Sequence, residues 1–264
     1  MGNVLKSEFY KLTHSKKYYV FYGIALVLWL ATFISRMIAK TDSGWLVGLT
    51  DGGTFGWDMF VAVFAVIYIL DDFKNGYLKN IYFSANKFCY VFAKFLCVLL
   101  LLLACLILSF LSELIIAASF AKGALVGKRI IDSTGKSLSV LTAIYFKSFL
   151  LFVVICYAKT AIVAFFAYLV NDILYVLGGW FFYSAFLCNV FYDALKEVIN
   201  AIIGLIGGTS MSEDFFNKIC PYGMKIELLA PLANWWHYLL FLACWIVLSF
   251  LGSVLIYSKR RVKV

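Results

Sequence analysis

Apolar residues run in long unbroken stretches along this chain, and the polar positions collect between them. Six runs, at residues 18–37, 54–70, 90–113, 148–169, 173–192 and 236–257, have lengths suited to a hydrocarbon core of about 30 Å, which takes about 17–25 apolar residues in a helix. Each is predicted to be helical, because lipid supplies no hydrogen-bond partner for an unpaired backbone. The runs are continuous, which excludes the alternating pattern of a membrane barrel. Trp45, Trp57, Trp180, Trp235 and Trp236 fall near the predicted ends, where amphipathic rings favour the headgroup region. The expectation is an all-α, polytopic membrane protein with six transmembrane helices and one membrane domain over residues 1–264.

The polar segments carry the remaining information. In residues 1–17, Val4, Leu5, Phe9 and Leu12 share one helical arc that Glu8 interrupts, while Lys6, Lys11 and Lys17 project elsewhere. This predicts an interfacial helix on the inner leaflet, with a merely basic tail as the alternative. Residues 71–89 form a connector that opens on Asp71 and Asp72 and continues through Phe73, Lys74, Asn75, Gly76, Tyr77, Leu78, Lys79 and Asn80. The basic residues of the first segment, this connector and the tail (Lys259, Arg260, Arg261, Lys263) share one side if the spans are even in number. The positive-inside bias places that side, and both termini, in the cytoplasm. Lys122, Lys128, Arg129 and Lys136 run against the bias, so the orientation rests on the shorter, denser cytoplasmic segments. The N-terminus shows no short apolar core with a small-residue cleavage site, and the first run is expected to be retained.

Composition agrees with the pattern. Hydrophobic residues are 64% of the chain and charged ones 14%, against about 45–50% and 25% in soluble domains. Lysines facing anionic lipid account for much of the net charge of +9, and no motif points to nucleic acid. Of the seven cysteines, Cys97, Cys105, Cys156, Cys188 and Cys244 lie within runs, where cysteine acts as a small apolar residue; no Cys/His spacing suits a metal. Residues 130–137 end in Gly135, Lys136 and Ser137 like a phosphate-binding loop, but Ile130 stands where the first glycine belongs and no soluble α/β unit surrounds it. His14 and His237 belong to no zinc-protease pair, and no serine sits in a nucleophile elbow. No catalytic residue and no bound metal or cofactor is expected in this chain.

Three features stay open on the residues alone. Lys159 lies inside the fourth run, where a charge is costly; it either faces a wet pathway or a partner, or the run ends near Ala158 and the lysine snorkels to the interface. Gly44, Gly48, Gly52 and Gly56 either form a smooth helical face or mark turns in an external loop. Residues 193–235 form a long external segment in which the apolar stretch 202–208 is too short to span and suits a re-entrant or interfacial element.

The opening Leu5, Lys6, Ser7, Glu8, Phe9, Tyr10, Lys11 and Leu12, the connector from Asp72 to Asn80, and the polar turn at Asn171 and Asp172 resemble the ABC-2 type permeases, membrane subunits of bacterial ATP-driven exporters. The resemblance extends over nearly the whole chain and implies a bacterial plasma-membrane protein that works beside a second permease copy or a homologous permease. It implies that ATP and Mg are bound by a separate cytoplasmic ABC ATPase. It also makes the connector the coupling element, with Asp72, Phe73, Lys74, Asn75, Gly76, Tyr77 and Lys79 as ATPase-coupling residues and Glu8, Phe9 and Lys11 as those of the interfacial helix. Lys159 is then a candidate pathway residue. The implied cargo is an amphipathic peptide or hydrophobic compound, including in bacteriocin immunity. The competing expectation is a membrane assembly factor that recruits partners without transport.

Overall fold

The computed structural model describes residues 2–39, 57–74, 86–120, 138–170, 172–182, 188–205 and 235–259. Among them are eight helices and no strand: α1 (Gly2–His14), α2 (Lys16–Ala39), α3 (Trp57–Lys74), α4 (Lys87–Phe120), α5 (Leu138–Val170), α6 (Ile173–Phe182), α7 (Cys188–Leu205) and α8 (Trp235–Lys259). Three hold stretches long and apolar enough to cross a membrane: Lys87–Leu108 in α4, Leu150–Val170 in α5 and Trp236–Lys259 in α8, with mean hydropathies of 3.0, 2.3 and 2.6. Helices α2 and α3 occupy most of the first two predicted runs.

Helix α5 is the hub. It packs along α8 and α3 and also touches α4 and α6. The α5–α8 crossing is close because its residues are small. A Cβ on Gly252 would lie 2.6 Å from the Phe165 ring, so only glycine fits there without displacing that side chain. The buried Ser249 and Ser253 flank it, and Ser253 donates its hydroxyl to the Ser249 carbonyl at 2.7 Å. Thr160 does the same to Cys156 at 2.8 Å, so neither hydroxyl asks anything of the neighbouring helix. Small side chains that let backbones approach are the usual currency of helix pairing in lipid.

Several helix ends gather at one end of the bundle. Phe73 at the end of α3 meets Tyr168 of α5 and Tyr257 of α8 edge-on, at 6.0 and 6.4 Å between ring centroids, and Tyr90 near the start of α4 stacks on Tyr257 at 5.0 Å. Val4 of α1 packs against the same cluster. Helices α4 and α6 begin here with side-chain caps: Asn86 Oδ1 accepts from the Phe88 amide at 3.1 Å, and Asp172 Oδ1 from the Leu174 amide at 2.8 Å. The polar turn at Asp172 therefore has a structural role of its own.

The fifth run is described in two parts. Its described residues are helical at Ile173–Phe182 (α6) and again from Cys188 (α7), and residues 183–187 lie outside the described residues. In α7, Asn189, Asp193, Lys196, Glu197 and Asn200 recur at helical spacing, so this segment has a polar stripe that a lone span would not carry. Helices α4 and α5 run beyond their predicted spans; with 34 and 33 residues they reach about 50 Å each at the helical rise. The glycine series 44–56, the connector residues 75–85, the basic segment 121–137 and residues 206–234 lie outside the described residues.

The Gly252 contact makes a direct test. Gly252→Val is expected to cost about 1–3 kcal/mol as an overpacking change, read as a lower melting temperature in detergent. Adding Phe165→Ala should recover part of the loss, because the clash is with that ring.

Candidate functional site

The gathered end contains a buried ion cluster built from α1, α3 and α4. Helical spacing aligns its members: Glu8 and Lys11 are three apart on α1, Tyr68 and Asp72 four apart on α3, and Tyr90 and Lys94 four apart on α4. The Lys94 ammonium, with 0% of its side chain exposed, lies 2.9 Å from Glu8 Oε2 and 2.5 Å from Asp72 Oδ2. Lys11 completes the set by pairing with Asp72 Oδ1. Two carboxylates thus face two ammonium groups, and the formal charge of the cluster sums to zero.

Tyrosines share the carboxylate oxygens that Lys94 holds. Tyr68 donates its hydroxyl to Glu8 Oε2, and Tyr90 donates to Asp72 Oδ2 at 2.5 Å. Lys94 also donates to the Tyr68 carbonyl at 3.3 Å and sits 3.5 Å from the centre of the Tyr68 ring, a desolvated cation–π contact. Glu8 Oε1 is buried with no hydrogen-bond partner among the described residues. Burial alone would raise the Glu8 pKa. The Lys94 ammonium and the Tyr68 hydrogen bond outweigh it and hold the carboxyl below its ordinary 4.5. At the rim, the exposed Lys17 pairs with Asp71 at 2.8 Å, and Tyr18 donates to the other Asp71 oxygen at 3.4 Å. Such a rim pair contributes little.

The sequence-predicted residues divide cleanly. Glu8, Lys11 and Asp72 meet in the cluster, and Asp72 is 1% exposed. Lys11 therefore turns inward, where it was expected to project away from the packed face; the reason is the Asp72 carboxylate opposite it. Phe9 lies on the outer side of α1, 38% exposed. Phe73 is half-buried in the aromatic group with Tyr168 and Tyr257. Lys74 is the last residue of α3, and Asn75, Gly76, Tyr77 and Lys79 lie outside the described residues. Lys159 is half-buried on α5, near the middle of the apolar stretch Leu150–Val170.

Lys94, Tyr68 and Tyr90 were not singled out from the sequence. Lys94 is the telling omission, since a lysine inside the third run invites the question asked of Lys159. The signal was the carboxylate of Glu8 in the middle of an apolar arc, which requires a buried cation somewhere in the chain. Among the described residues no group of His, Cys, Asp and Glu is arranged to hold a metal. The cluster offers fixed, mutually neutralised charges that fasten three helices. Compared with known proteins, the chain matches no family model and no curated protein.

Lys94→Met would strand Glu8 beside buried apolar surface and is expected to cost on the order of 3–5 kcal/mol, as for other broken buried pairs. Combining it with Glu8→Gln removes charge of both signs and should be milder than the single change, a non-additivity that a double-mutant cycle in detergent melts would measure. The Glu8 carboxylate also sets a pH window. Its stabilisation is complete above pH 4.5 and is lost as pH falls through the lower folded-state value. Protease protection of the N-terminal segment should fall in that acidic range, and Glu8→Gln should flatten the profile.

Proposed function

We propose that this chain is the permease subunit of an ATP-driven exporter of the ABC-2 type, with six spans, both termini in the cytoplasm of a bacterial cell and energy supplied by a separate ATPase. The observation that carries the reading is the fastening at the root of the connector. Asp72 is held by Lys94, Lys11 and Tyr90, and Phe73 is held by Tyr168 and Tyr257, immediately before the segment 74–80 that resembles the coupling element. A push delivered to the end of α3 would pass through the ion cluster into α1 and α4. Rigid-body displacement of packed helices is an established way to convert closure at one site into opening at another.

The placement of Asp72 and Phe73 refines which residues would touch the ATPase. Both side chains are committed inward, so contact falls to Lys74, Asn75, Gly76, Tyr77 and Lys79, with Asp72 and Phe73 as the base on which they stand. Two copies of the chain, or one copy and a homologous permease, would line the pathway, with an amphipathic peptide or a hydrophobic compound as cargo. Lys159, a cation midway along an apolar stretch, is the residue we assign to that pathway.

In proteoliposomes holding this chain and the ATPase that co-purifies with it, Lys74→Glu with Lys79→Glu should cut stimulated ATP hydrolysis about tenfold, equal to about 1.4 kcal/mol of lost contact. Membrane levels should be unchanged. If no ATPase co-purifies with the tagged chain from its native membrane, the transport reading falls and the recruiting role without transport replaces it. Lys159→Met should lower efflux without lowering the amount in the membrane; unaltered efflux places Lys159 at the lipid boundary.

A further inference from the structure

Helices α4, α5 and α8 enclose an apolar cavity of about 310 Å³ that is separate from the ion cluster. Phe88, Phe92 and Leu99 line it from α4, Val247 and Phe250 from α8, and Tyr157 from α5. The Phe250 ring stands edge-on to Phe88 and Phe92, at 5.1 and 6.2 Å, and fixes the aromatic wall. Tyr157 brings the one polar side-chain atom among these six, and its hydroxyl donates to the Phe95 carbonyl at 3.2 Å. The cavity therefore recognises an apolar occupant. It opens outward through Phe88 and Val247, which are 44% and 52% exposed.

Size and position narrow the occupant. A helix, with its diameter of about 10–12 Å, is too thick for this volume. The wall from Phe88 to Leu99 runs about 17 Å along α4, close to the depth of one leaflet of a core about 30 Å thick. Both helices that flank the mouth lie within stretches fit to cross a membrane. At that end Lys87 reaches over to α8 and donates to the Ser258 carbonyl at 3.1 Å, next to the exposed Lys259. The first turn of α4 has no acidic residue, and the last turn of α8 has none either. Two lysines, Lys87 and Lys259, thus stand at one end of a greasy slot.

We propose that this groove is a binding site for an anionic phospholipid, one acyl chain lying along Phe88, Phe92 and Leu99 and the phosphate resting at Lys87 and Lys259. Lipid in the groove would fill the space between α4 and α8 and hold their ends at a fixed separation.

The full-length protein is reconstituted in vesicles of phosphatidylcholine and phosphatidylglycerol in equal parts, doped with a phosphatidylglycerol whose acyl chain carries a photoactivatable diazirine. After irradiation, adducts should concentrate in peptides holding Phe88 to Leu99 and Ile246 to Phe250. Adducts spread evenly over these peptides and the exposed faces of α2 and α8, such as Val27 and Leu240, overturn the proposal. In a second arm, lipid binding to delipidated protein is followed by native mass spectrometry. Wild type should prefer phosphatidylglycerol over phosphatidylcholine by about fivefold per lysine at the mouth, and Lys87→Gln with Lys259→Gln should remove that preference while leaving phosphatidylcholine binding intact. Equal binding of the two lipids by wild type also overturns it. Val247→Trp fills the slot and should abolish the retained lipid; a variant that melts like wild type and still retains it counts against the site.

Discussion

The ammonium of Lys94 is the constraint on which the rest of the arrangement depends. A buried cation of this kind is tolerable only with close anionic partners, because the loss of hydration costs several kcal/mol per ion. Both partners come from other helices, Glu8 from α1 and Asp72 from α3. Neither helix can slide or turn without withdrawing a carboxylate from the charge. Tyr68 and Tyr90 tighten the same demand, since their hydroxyls fix the carboxylate oxygens the lysine does not use alone.

Two kinds of fastening therefore divide the molecule. At the gathered end α1, α3 and α4 are joined by directional, charge-assisted contacts, which resist small displacements. Along α5 and α8 the joint is close packing around Gly252, Ser249 and Ser253, which is set by shape. The exposed side of α8, with Trp236, Leu240, Val247, Leu248, Leu251 and Leu255, forms one apolar stripe suited to hydrocarbon. Binding of lipid or a second subunit at such a stripe leaves the ionic joint untouched, so the two regions can serve different purposes.

Much of the helical content was legible from run length, because continuous apolar stretches leave the backbone few alternatives. The N-terminal helix was legible too, but its orientation about its own axis was not. An arc drawn through Val4, Leu5, Phe9 and Leu12 treats Glu8 as an interruption, whereas the packed face centres on Glu8 and Lys11 and turns Phe9 outward. Burial of a charge is decided by a partner far along the chain, and periodicity within one helix carries no record of it.

The separation of Glu8 and Lys94 in the chain has a consequence for biosynthesis. Helix α1 leaves the ribosome long before α4, with two helices made in between, so Glu8 has no Lys94 to pair with during that interval. When α4 enters, Lys94 arrives about 10 Å inside its apolar stretch, where an unpaired lysine opposes insertion by up to about 3 kcal/mol. The carboxylates of α1 and α3 offset that barrier. A helix made early thus carries part of the neutralisation that a later apolar helix needs.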